Sequence, residues 1–270
     1  MTTVASELFA LDDAKIHIER QGSGKPVLFV HGVMMSSRFF APQMAYFSRF
    51  ADVIVPDLRG HGRSPFASSG HTVPQYARDI ARIIEAYDLR DVTLVGWSMG
   101  AFVVWDYLSQ FGSARIARIA IVDEYPADFK WPGYEFGFAD LPMLAGMMEL
   151  IQTDYGAVIE QLIGLMFKHR PSEYQVAWIA REIAAVDPAI ASAIFFDQTM
   201  RDYRELLPRI DVPALICMGG DEKLVPVAAG QYIADRIPQA TLTVFEESCH
   251  CPFLEEPDEF NRRLHDFMQT

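Results

Sequence analysis

The sequence predicts an α/β fold, a mostly parallel, doubly wound sheet flanked by helices. Three observations carry this. Short β-branched apolar runs alternate with longer stretches of helical periodicity. Most of those runs are continuously apolar, as strands buried on both faces are. From about Phe129 to Tyr203 no convincing strand occurs, and strand–helix alternation then resumes, so a helical insert interrupts the sheet.

In chain order, KIHIER (Lys15 to Arg20) alternates apolar and polar, as a half-buried antiparallel strand does. VLFV (Val27 to Val30), DVIVP (Asp52 to Pro56) and VTLVG (Val92 to Gly96) read as central parallel strands. Ala77, Ile80, Ala81 and Ile84 mark an amphipathic helix between the last two. Ala101 to Trp105 is apolar nearly all round, as a helix packed deep against a sheet would be. RIAIV (Arg118 to Val122) is the next strand and the sixth, counting two antiparallel strands at the start. After the insert come PALICM (Pro213 to Met218), a helix over roughly Val227 to Ile237, TLTVF (Thr241 to Phe245) and a terminal helix from about Glu256. The reading divides the chain into a core of residues 1–128 and 205–270 and a helical cap of residues 129–204.

Composition narrows the function. The chain has 270 residues, half of them hydrophobic, enough for a sizeable core. Its net charge of −13 repels nucleic acid and acidic membrane surfaces, so neither is expected as a partner, and it favours neutral substrates. Three cysteines, Cys217, Cys249 and Cys251, do not make a disulfide framework. The N-terminal segment has no signal-peptide pattern, and the apolar stretch Leu141 to Ile151 is too short to span a bilayer. A cytoplasmic protein is expected.

The stretch VGWSMGAF carries the chemistry. Ser98 lies in Gly96-Trp97-Ser98-Met99-Gly100, between a strand and a helix. A serine on so sharp a turn projects above the sheet, while the glycines let strand and helix pass closely. The helix N-terminus behind it offers free N–H groups to an oxyanion. The bland reading is an ordinary turn serine, but the strand before and the apolar helix after favour a nucleophile. A serine needs a base. Of seven histidines, His250 is the best candidate, since it follows TLTVF where loops at the strand ends converge. Cys249 and Cys251 flank it, but no second ligand pair follows at zinc spacing, so no metal is expected. His61, in DLRGHGRS, is read as shaping a turn; His17, His71, His169 and His265 are read as bland. Oxyanion donors are expected from the Met99 N–H and from the His31–Ser37 loop, with Val33 first and Met34 second.

HGVMM, VPDLRGHGRSP, VGWSMGA, GGDEKLVP and SCHCPFLEEP, in this order, resemble the α/β-hydrolase superfamily, in particular its small esterase, haloperoxidase and lactonase-like branch. The resemblance covers about residues 15–125 and 205–268; the insert matches only as a generic cap. It implies an α/β-hydrolase fold with an eight-stranded sheet, a Ser–acid–His triad and no cofactor. The acid is where the chain departs from the common pattern. Much of the superfamily carries it in a Gly-x-x-Asp loop before a Val-Pro. Counting back from Pro226 places Glu222 there, not Asp221. A smaller branch carries it after the preceding strand in a Val-Asp-x-x-Pro context, matched here by Val122-Asp123-Glu124-Tyr125-Pro126. Asp123 is the first choice, Glu222 the alternative and Asp221 the third.

The expected activity is acyl transfer on a neutral, fairly hydrophobic ester. FKWPGYEFGFADLPMLAGMMELI and LIGLMFKHR, rich in aromatics and Met, supply adaptable pocket walls, although most of these side chains should simply pack the cap. Met34, Trp97, Phe136, Met143 and Met147 are the candidate pocket residues. A lactonase of the acyl-homoserine-lactone type and a perhydrolase would use the same triad. A small-molecule receptor with a vestigial triad is the reading of another class. Epoxide and haloalkane hydrolysis are disfavoured because their nucleophile is a carboxylate.

Overall fold

The computed structural model describes residues 4–221 and 223–270. An eight-stranded sheet forms its centre: β1 (Ala5–Ala10), β2 (Lys15–Gly22), β3 (Pro26–Val30), β4 (Asp52–Asp57), β5 (Val92–Trp97), β6 (Ile116–Val122), β7 (Ala214–Gly219) and β8 (Ala240–Phe245). Their order is β1-β2-β4-β3-β5-β6-β7-β8. β1 and β2 run antiparallel to their neighbours, and every later pairing is parallel. The chain winds outward in both directions from β3, so β3 and β5 sit centrally and are buried throughout, as their continuous apolar runs require.

Helices α1 (Ala41–Phe47), α2 (Val73–Ala86) and α3 (Met99–Phe111) belong to the first half of the core. α2 turns Val73, Tyr76, Ala77, Ile80, Ile83 and Ile84 inward, and the Thr72 side chain accepts its Gln75 N–H. α3 is buried without a break from Met99 to Leu108. Helices α4 (Leu141–Thr153), α5 (Tyr155–Met166), α6 (Glu173–Ala184) and α7 (Pro188–Thr199) form the insert. Each starts on a side-chain cap that the sequence supplies: Asp140, Asp154, Ser172 and Asp187. Ser172 and Gln175 close a capping box. α8 (Val227–Ala234), α9 (Pro252–Glu255) and α10 (Pro257–Gln269) complete the core. The expected helix after β7 ends three residues early, at Ala234, and a short helix precedes the terminal one. Among the described residues, no helix is long and apolar enough to cross a membrane.

Candidate active site

The site gathers at the carboxyl ends of the central strands. Ser98 follows β5 with φ 54° and ψ −127°, a conformation L-residues rarely adopt. Met34 and Asp123, at φ 60° and 49°, are also left-handed. So three of the five described non-glycine residues with positive φ lie at this site. Such strain costs on the order of 1–3 kcal/mol per residue and persists where the surroundings enforce it. The surroundings here are tight. A Cβ on Gly96 would strike the Gly100 backbone, and one on Gly100 would strike Val30 O. A Cβ on Gly32 would lie 3.1 Å from Ser98 Cβ. The glycines of the elbow are therefore a packing requirement.

Asp123 leaves β6, and its N–H donates to Cys217 O on β7 (2.8 Å). Its Oδ2 lies 3.2 Å from Nδ1 of His250. The approach is off the ideal hydrogen-bond line, leaving both Asp123 Oδ1 and His250 Nδ1 open. Catalytic pairs are often this loose before substrate binds. Burial pushes the Asp123 carboxyl above its ordinary range, against the opposing pull of the neighbouring His250 ring and the Gly219 N–H. His250 is fixed from two sides. The Trp97 indole donates to His250 O (2.8 Å), and the His250 N–H donates to Met166 O of the cap (3.1 Å). Of the other acid candidates, Asp221 lies 3.4 Å from Lys223 Nζ. Glu222 lies outside the described residues.

Two buried histidines hold the loop after β3. His31 takes the Leu58 N–H on Nε2 (3.0 Å), and its Nδ1 meets Gly32 O (2.8 Å). His61 takes the Met34 N–H on Nε2 (3.1 Å), and its Nδ1 meets Arg59 O (3.1 Å). Burial holds both rings neutral, with His61 pushed down to about 3. His61 does shape the turn after β4, but it also commits the Met34 N–H, so that second-choice oxyanion donor is occupied. Among the described residues, no hydrogen bond engages the N–H of Val33 or Met99. Beneath this loop, the Asp57 carboxylate accepts the N–H groups of Ser37 (2.6 Å) and Arg63 (3.0 Å) and lies 3.0 Å from His17. His17 is thus part of the support for the loop, a role its sequence context does not signal.

Ser98, His250 and Val33 line one cavity of about 380 Å³, which insert helices α4, α5 and α7 cover in part. Trp97, Met143 and Met147 also line it. Met34 and Phe136 do not: Met34 points into the core, and Phe136 stacks with Tyr134 and Tyr232. Phe138 and Leu162 lie in the two stretches expected to supply the walls but were not singled out, and Phe195 was missed, since these positions depend on how the insert helices settle. Sequence reasoning also missed Glu124, Asp128 and Gln198, polar residues on the same wall. The thiols beside His250 are buried; burial pushes Cys249 up to about 11 and raises Cys251 as well. Cys249 Sγ donates to Leu165 O (3.1 Å), so it packs the histidine loop against the cap.

A strained serine between strand and helix, a histidine backed by a buried carboxylate and an apolar cavity above them make up this site. The model of the alpha/beta hydrolase family matches residues 27–263 of the chain. The chain belongs to that family. It is 30% identical over 267 residues to a non-heme chloroperoxidase of Streptomyces lividans, covering 92% of each protein. It is 28% identical over 247 residues to a pimeloyl-[acyl-carrier protein] methyl ester esterase of Neisseria meningitidis, covering 91% of this chain and 93% of that one. The solved structure of an esterase from Exiguobacterium antarcticum superposes with a TM-score of 0.92 at 26% identity over the whole of both chains.

Proposed function

We propose that the protein is a serine hydrolase that cleaves a carboxylic ester through an acyl-enzyme. The observation that carries this is the strained Ser98 elbow opening on the same cavity as His250, whose imidazole is backed by Asp123. In this reading His250 takes the Ser98 proton as Oγ attacks the ester carbonyl. The N–H groups of Val33 and Met99 hold the oxyanion that forms. His250 then gives its proton to the leaving alcohol, and water, activated by the same imidazole, cleaves the acyl–Ser98 bond and restores the enzyme. Asp123 fixes the histidine tautomer and stabilises the imidazolium. The apolar walls from Met143, Met147, Leu162 and Phe195 favour a hydrophobic acyl or alcohol group. The chloroperoxidase relative supports hydrogen peroxide as a second acceptor of the acyl group, giving a peracid in place of the acid.

The test is labelling with a fluorophosphonate, followed by assay on p-nitrophenyl esters of increasing chain length. Ser98 is expected to carry the label and medium chains to react fastest. Absence of both labelling and hydrolysis would sink the reading. In Ser98→Ala, activity should fall by about 10⁴-fold or more with the circular-dichroism spectrum unchanged.

A further inference from the structure

The loop that carries His250 is tied to the insert by a carboxylate outside the triad. Glu255, at the end of α9, accepts from two chain segments at once. Its Oε1 takes the Lys168 N–H just beyond α5 (2.7 Å), and its Oε2 takes the Cys249 N–H (2.8 Å). Burial raises this carboxyl, and the Cys249, Lys168 and His169 N–H groups oppose the rise. Hydrogen bonds to an ionised acceptor are the stronger kind.

Other bonds cross the same junction. The His250 N–H donates to Met166 O (3.1 Å), and the Cys249 thiol donates to Leu165 O (3.1 Å). Lys223 Nζ, from the loop after β7, donates to Phe167 O (2.6 Å) and Lys168 O (3.1 Å). The last carbonyls of a helix have no partner within it, and here the histidine loop supplies partners for two of them. Met166 also lines the cavity, so the roof and the base share one turn of chain. Helix α9 is the fixed point. Phe253 packs on Trp97 (ring centroids 4.8 Å apart), and its carbonyl accepts from the Gln43 side chain (2.8 Å). Glu256 holds the start of the loop, accepting the Glu247 N–H (3.1 Å) and the Ser248 hydroxyl (2.6 Å).

Cys249 immediately precedes His250, so a tilt of its amide swings the imidazole. The 3.2 Å between His250 Nδ1 and Asp123 Oδ2 is already at the long end of the hydrogen-bond range, and a shift of a few tenths of an ångström breaks it. We propose that Glu255 is a positioning residue: it locks the histidine loop to the end of α5 and so holds the His250 imidazole between Ser98 and Asp123. The proposal rests on the ester-hydrolase reading and adds to it a residue that acts through the base. A neutral amide does not replace the carboxylate, because either orientation of the Glu255→Gln side chain turns its NH₂ group toward one of the two backbone N–H groups.

The test compares wild type and Glu255→Gln per active site, counted with a fluorophosphonate, so that a loss of folded protein does not enter. The substrates are the ethyl and p-nitrophenyl esters of one acid. On the ethyl ester, kcat/KM is expected to fall at least about tenfold. The fall on the p-nitrophenyl ester should be smaller by about threefold or more, because only the alkoxide leaving group needs the proton that His250 delivers. Glu255→Asp, which keeps the charge but is too short to reach both segments, should lie between the two, and it carries the test if the glutamine variant does not fold. Equal losses on the two esters, or kcat/KM within about twofold of wild type, would overturn the proposal and leave Glu255 a residue of the fold alone. Should the wild type hydrolyse no ester, the ester reading fails, and crystal structures of wild type and variant decide this one. The variant's imidazole is then expected beyond about 3.5 Å from Asp123, and a ring that has not moved would count against the positioning role.

Discussion

Strand β5 with helix α3 and the cap helices α4 and α5 supply different things to one cavity. In the first region every residue from Val92 to Leu108 is buried. In α4 only Leu144 and Ile151 are buried, while Leu141 and Met143 remain 62% and 39% exposed. The glycines differ in the same sense. Gly96 and Gly100 sit where no side chain fits, whereas a Cβ on Gly146 or Gly164 would meet nothing. Dense packing holds strained backbone and reacting atoms in place. Sparse packing, with half-exposed Met and Leu, leaves walls that can adjust to a substrate at low local stability. In the proposed reading, the floor of the cavity serves the chemistry and the roof the selection.

The largest expected effect tests the floor. Asp123→Asn should lower kcat by roughly 10³–10⁴-fold with little change in stability, because the histidine loses its orienting charge. Asp221→Asn should change it less than about threefold. Equal losses in steady-state assays would shift the acid to the β7 loop and break the assignment. Next, Phe102→Ala, in the heart of α3, should cost about 3–5 kcal/mol in denaturant unfolding. Met143→Ala on the roof should cost below about 1 kcal/mol and instead alter the dependence of KM on chain length. Comparable stability losses would remove the distinction between the two regions.

A pH titration sharpens the account of the loop beneath the site. His61 takes a proton near pH 6.5 in the unfolded chain but only near 3 in the native one. The unfolded state thus binds more protons across this window, and the contribution of neutral His61, full above about pH 6.5, falls as pH drops through it. The slope should approach about 1.4 kcal/mol per pH unit, and His61→Gln should flatten it. An unchanged slope in denaturant midpoints measured against pH would exclude this role. The smallest effect is a gain: Gly146→Ala should stabilise the protein by about 0.5–1 kcal/mol, since the helix position is exposed and open. A loss in thermal unfolding would mean that α4 is held more tightly than its contacts indicate.

Much of this was legible beforehand, for local reasons. Apolar runs located seven of the eight strands; β1, whose residues are largely exposed, carries no comparable signal. The elbow could be read because strand, glycines and helix are adjacent in the chain. The caps of the insert helices, Asp140, Asp154, Ser172 and Asp187, are equally local, although the sequence reading did not name them. The acid could be ranked, with Asp123 first, but not decided, because β6 and β7 are neighbours and either strand end lies within reach of the histidine loop.

The sequence by itself determined the α/β alternation, the helical insert, the Ser98 turn and the presence of acceptable acids and bases, since each depends on residues near one another in the chain. Only the tertiary structure decided the rest. It brought His250 and Asp123, 127 positions apart, to 3.2 Å. It committed the Met34 N–H to His61, turned Phe136 away from the cavity and set Gln198 of the cap against Asp128 of the core. Contacts between distant segments follow from how whole elements pack, and no local pattern of apolar and polar residues encodes which side chains will then face the same space.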